Sequence, residues 1–159
     1  MALRKILTEG DEQLLKHSRK VEKFDDRLHT LIDDMRETLE NSGGVGLAAP
    51  QVGILKRIVV IDTGEEGECV TLVNPVITLK EGEQVGEEGC LSLPGKSGVV
   101  TRSNHVVVRA YDENMELYEL EGTELLARAI QHECDHLDGI MYVDKVEGRI
   151  YDNEELEDE

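Results

Sequence analysis

The sequence predicts a single α+β domain with mostly antiparallel sheets. Three observations point there: a helical apolar period near the N-terminus, a middle stretch of short β-branched runs broken by turn residues, and a second helical period near the C-terminus. Helix, strands, helix in that order is not the alternation of βαβ units. A chain of 159 residues is long enough for one core and too short to expect two.

The first helix is predicted over Phe24 to Glu40, where Phe24, Leu28, Leu31, Ile32, Met35 and Leu39 recur at spacings of three and four among charged residues. Asn41-Ser42-Gly43-Gly44 stops it and opens a loop. Strands are predicted over Arg57–Asp62, Val70–Val73, Val76–Leu79 and His105–Ala110, each rich in β-branched residues and bounded by Gly, Asn, Asp or Pro. Met115–Leu120 alternates with period two after Asp112-Glu113-Asn114, which marks a hairpin and makes the sheet antiparallel. The second helix is predicted from about Thr123 to Leu137, ended by Gly139.

The formal charge of -18 disfavours nucleic acid as a partner and speaks chiefly for solubility. The chain begins MALRKILTEG, without a secretory apolar run, and has no apolar stretch long enough for a membrane span, so a soluble, cytoplasmic protein is expected. Cys69, Cys90 and Cys134 make no even framework and no C-x-x-C pair, which fits a reducing compartment. The final DNEELEDE carries six acids. Residues 1–146 are expected to form the one folded domain and 147–159 an acidic mobile tail.

His132-Glu133-Cys134-Asp135-His136 is an H-E-x-x-H string where periodicity independently calls for helix. Residues four apart share a helical face, so both imidazoles can reach one metal ion while Glu133, about 100° round, addresses its open side. Downstream of His136 there are 23 residues and no histidine, which weakens a thermolysin-like reading. Upstream, Cys90 sits in GEEGCLSLPG among Gly and polar residues. A thiolate, two imidazoles and water make a tetrahedral site with one open position, so Cys90 is the third candidate ligand. Cys134 stands about 200° from His132 and faces away, while Cys69 opens an apolar strand and is expected in the core. A third segment, GVGLAAPQ from Gly44 to Gln51, is small and backbone-accessible, and Gln51 offers an amide N–H to an oxyanion.

In order and spacing, GVGLAAPQ, EGCLS and HECDH resemble the three motifs of the peptide deformylase family, from about residue 3 to residue 146. The resemblance implies a peptide deformylase-like α+β fold with the H-E-x-x-H helix central, in the concavity of the sheets. It implies hydrolysis of the N-formyl group from the leading formylmethionine of new proteins. Cys90, His132 and His136 become metal ligands, Glu133 the general acid/base, and the Gln51 side-chain amide with the Leu91 backbone N–H the oxyanion holders. Fe2+ is the expected ion in cells, with Zn2+, Ni2+ or Co2+ as substitutes. The peptide is expected to bind extended along Val45, Gly46, Gly89 and Leu91, its methionine side chain bounded by Val45, Leu125, Ala129 and His132.

Two departures stand out. Where many members carry an arginine about seven residues after the motif-two cysteine, this chain has Ser97 beside Lys96, so the pocket rim should differ. Some members end in a basic helix that docks on the ribosome; the acidic run here leaves only transient ribosome proximity as an expectation. Two rival readings are a metallopeptidase of the wider H-E-x-x-H type, which the missing downstream histidine disfavours, and a metal-stabilised interaction module, which would want four protein ligands where three converge.

Overall fold

Asp25 opens the first helix, α1 (Asp26–Ser42), its carboxylate accepting the Leu28 N–H at 3.1 Å, and Gly43 closes it in the left-handed region at φ 73°. The computed structural model, which describes residues 2–153, then runs through β1 (Gly46–Ala48), β2 (Ile58–Asp62), β3 (Cys69–Glu81), β4 (Gln84–Cys90), β5 (Leu93–Arg102), β6 (His105–Tyr111) and β7 (Leu117–Thr123). Helix α2 (Glu124–Leu137) follows, and β8 (Glu147–Asp152) is the last described element. The strands form a five-stranded sheet in the order β1-β2-β3-β6-β7 and a three-stranded sheet in the order β4-β5-β8. All pairings between these strands are antiparallel, as the sequence predicts.

Around β2 and the first half of β3 the larger sheet is buried on both faces, and strand alternation sorts its side chains between them. Val59 and Ile61 of β2, with Leu72, Val106 and Val108, pack against Leu126, Ala127, Ile130 and Leu137 of α2. Ile58 and Val60, with Leu47 and Val73, face Leu28, Ile32, Met35 and Leu39 of α1. This two-sided burial explains why β2 reads as a continuous apolar run. The small sheet covers another side of α2, which is therefore central. Gly139 ends that region at φ 74°, where a Cβ would meet the Leu15 carbonyl oxygen at 2.5 Å, so the helix stop is also a point of close backbone packing.

Three expectations need correction. Val70–Val73 and Val76–Leu79 are one strand: Asn74 sits at φ 52°, the register shifts between Val73 and Val76, and the Asn74 amide binds both the N–H and C=O of Val21 at 2.8 and 3.0 Å. The turn chemistry becomes a bulge because its polar groups are satisfied by a neighbouring segment. Cys69 is exposed, because β3 begins at the sheet's end, beyond the core. The predicted mobile tail starts too early: Glu147–Asp152 pairs with β5, Lys96 opposite Asp152 and Ser97 opposite Tyr151, with a Lys96–Asp152 ion pair at the strand's end. The rest of that tail, from residue 154 on, lies outside the described residues. Among the described residues, no helix is long and apolar enough to cross a membrane.

Candidate active site

The last residue of β4 and one face of α2 converge on a single point. Candidate ligand atoms of Cys90, His132 and His136 all lie within 4.8 Å of one another, with Cys90 Sγ 3.3 Å from His136 Nε2. Both histidines are buried, as their helical spacing onto the face that packs against the sheets requires. Cys134 points instead toward the core between α2 and the large sheet, where burial pushes its thiol up to about 12.

Glu88 is the residue that sequence reasoning passed over. It stands two positions before Cys90, hence on the same face of β4, and its Oε1 is 2.7 Å from His132 Nδ1. The carboxylate also accepts two hydrogen bonds from Arg102, at 2.8 and 2.9 Å, and one from Arg128 at 2.5 Å. Burial opposes its ionisation, but hydrogen bonds from Arg102 and His132 outweigh burial and hold its carboxyl well below the usual range. The signal was a carboxylate at i−2 from a candidate ligand in a strand. A buried, fully paired Glu orients the imidazole and leaves Nε2 for a ligand role.

Glu133 lies beside this group, with Oε2 3.9 Å from His132 Nε2 and Oε1 buried without a hydrogen-bond partner among the described residues. Burial lifts its carboxyl to about 7. Gly46 makes room for it: a Cβ there would meet Glu133 Cγ and Oε2 at 2.7 Å. Gly46→Ala is therefore expected to push Glu133 aside and lower kcat by about 10²-fold with metal content unchanged. Steady-state kinetics beside elemental analysis checks this; a variant within twofold of wild type would mean that the carboxylate's placement is not critical.

Gln51, fully buried, is fixed at one end by the Ala48 N–H, which donates to its Oε1 at 2.9 Å. Its amide donates to Ser92 Oγ at 3.1 Å and approaches Cys90 Sγ at 3.5 Å, so a donor is aimed at the site. Leu91 follows Cys90, its side chain lying against Gly44, where a Cβ would meet it at 2.9 Å. Val45, Gly46, Gly89, Leu125 and Ala129 all line one cavity of about 510 Å³ that also exposes Cys90, His132 and Glu133. The structure thus gathers every site residue that the sequence singled out, with His136 fully buried against Cys90.

Three acidic side chains, Glu88, Cys90 and Glu133, surround two imidazoles. Burial works against protonation of His132, yet Glu133, Cys90 and Glu88 raise it to about 10, while burial and His132 itself push His136 down to about 3. Glu88 is already paired by Arg102 and Arg128, which leaves one cysteine sulfur and two imidazoles converging, a donor set that a divalent transition metal satisfies. These residues fit such an ion.

Comparison with known proteins shows what the whole chain is similar to. The family model described as polypeptide deformylase matches residues 3–150. A peptide deformylase of Lachnoclostridium phytofermentans is 56% identical, over 99% of this chain and 100% of its own length. One from Agathobacter rectalis is 59% identical over 96% and 95%. Among solved structures, a peptide deformylase from Legionella pneumophila superposes with a TM-score of 0.88 at 46% identity, covering 91% of this chain and 86% of that one. One from Synechococcus elongatus, in complex with actinonin, gives a TM-score of 0.86 at 43% identity, covering 91% and 79%.

Proposed function

The chain belongs to the polypeptide deformylase family, a hydrolase family acting on the N-formyl group of nascent polypeptides, and from that premise we propose how its own residues carry out the reaction. The observation that carries the proposal is the Cys90–His132–His136 group with Glu133 buried beside it at the floor of one cavity. Cys90, His132 and His136 would hold a divalent cation, which supplies the Lewis acidity that makes water a usable nucleophile near neutral pH. Fe2+ is the cellular ion we propose, on family resemblance, with Zn2+, Ni2+ or Co2+ as substitutes that the same donors accept.

Glu133 takes a proton from the attacking water as its oxygen bonds to the formyl carbon. A buried carboxyl at this position, its affinity for a proton raised by burial, can both accept that proton and return it. The Gln51 amide and the Leu91 backbone N–H hold the charge developing on the formyl oxygen. Glu133 then gives its proton to the departing nitrogen as the carbon–nitrogen bond breaks, yielding formate and a free amino terminus. Gly46 and Gly89 let the extended peptide approach main chain closely, and Val45, Leu125 and Ala129 bound the methionine side chain. The substrates are N-formylmethionyl nascent chains, met in the cytoplasm with only transient proximity to the ribosome.

The test is product analysis on formyl-Met-Ala-Ser and acetyl-Met-Ala-Ser. Formate and intact Met-Ala-Ser are expected from the first and no reaction from the second, with activity lost on chelation and restored by added Fe2+. Cleavage of an internal peptide bond instead would make the chain a metallopeptidase.

A further inference from the structure

Strand β8 does more than extend the small sheet. Its pairing with β5 sets Lys96 opposite Asp152, and the next residue, Asn153, lines the same cavity as Cys90 and Glu133. The Ser97 hydroxyl, on a buried residue, donates to Asn153 Oδ1 at 3.0 Å. That bond occupies the carbonyl end of the carboxamide and leaves the Nδ2 amide, which has no partner among the described residues. The Lys96–Asp152 ion pair lies next to it, so the cationic group on this wall is already engaged. The result is a neutral donor on a short, tethered side chain at the edge of the cavity.

The cavity has two unlike banks. Val45, Leu125 and Ala129, from the β1 region and α2, make the apolar one that suits a methionine side chain. Asn153 stands on the other, with Gly95 and Lys96 of β5. An extended peptide whose formyl end is at Glu133 and whose methionine side chain fills the apolar bank presents main-chain carbonyls beyond that methionine, and each needs a donor. We propose that Asn153, held by Ser97, is a specificity-determining residue that donates its side-chain amide to a main-chain carbonyl of the substrate beyond formylmethionine. This rests on the deformylase reading given above.

Two substrates separate the alternatives: formyl-Met-Ala-Ser, which has carbonyls beyond methionine, and formyl-methionine amide, which has no further residue. In Asn153→Ala, KM for the tripeptide should rise roughly three- to tenfold, the worth of one neutral hydrogen bond, with kcat within twofold. KM for formyl-methionine amide should not move. Asn153→Asp keeps the size but removes the donor, and should match or exceed the Ala effect; thermal midpoints equal to wild type show that both variants are folded. Ser97→Ala, which acts only by releasing Asn153, should give a smaller rise on the tripeptide alone. An unchanged tripeptide KM, or an equal rise for both substrates, overturns the assignment. Failure of the wild type to release formate from either substrate would overturn the deformylase reading, and the assignment with it.

Discussion

Glu133→Ala is expected to reduce formate release from formyl-Met-Ala-Ser by about two to four orders of magnitude, the usual worth of a general acid–base group, while metal content stays at the wild-type level. The separation follows from position. Glu133 is not in the Cys90–His132–His136 group, and its Oε1 is buried with no hydrogen-bond partner among the described residues, so truncation removes no described bond to that oxygen. Formate assays and elemental analysis on the same preparations decide it. Loss of metal together with activity would make Glu133 a ligand or its support, and residual turnover within tenfold of wild type would remove it from proton transfer.

Glu88→Ala should be the most destabilising single change near the site. Truncation leaves Arg102 and Arg128 buried around a missing carboxylate, a loss of about 3–5 kcal/mol when one partner of a buried charge pair is removed. Asp135, 2.6 Å from Arg102, retains part of the compensation and sets the lower end of that range. His132 also loses the acceptor that fixes its ring, so metal affinity should fall about 10–100-fold. Urea titrations measure the first effect and competition with a chelator the second. The pH dependence has a definite sign. Because the folded carboxyl is depressed, the unfolded chain binds the extra proton as pH falls, so the Glu88 contribution is complete above about pH 5 and is lost progressively below it. The variant should lack that part of the acid slope. An identical urea midpoint for variant and wild type at pH 7 would mean that the network contributes nothing net.

Both helices and the interior strands were legible in the sequence because burial imposes a period on them, and the convergence of His132 with His136 because α2 carries its histidines on one face. The hairpin of β4 and β5 was not. Its residues, Gln84-Val85-Gly86-Glu87-Glu88-Gly89-Cys90 and Leu93-Pro94-Gly95-Lys96-Ser97-Gly98, are poor strand formers by intrinsic preference, and pairing between the two segments overrides that preference. Glu88 was hidden for a related reason. A glutamate reads as surface unless its partners are known, and Arg102 and Arg128 lie 14 and 40 residues away. β8 failed on composition: acidic residues beside a charged terminus resemble a solvated tail, and only the facing edge of β5 makes them a strand.

The convergence of Cys90 with α2 has a kinetic consequence. Cys90 and His136 are 46 residues apart, Gln51 and Cys90 are 39 apart, and Lys96 and Asp152 are 56 apart, so the site is stitched entirely from distant segments. Such non-local closures carry a loop-entropy cost before any contact rewards them, which places chains of this topology among the slower-folding small domains. No excised helix or hairpin contains all three donors. During refolding, high-affinity ion capture should arrive only with global assembly, and the ion then acts as a late clasp on a finished topology rather than as a seed for it.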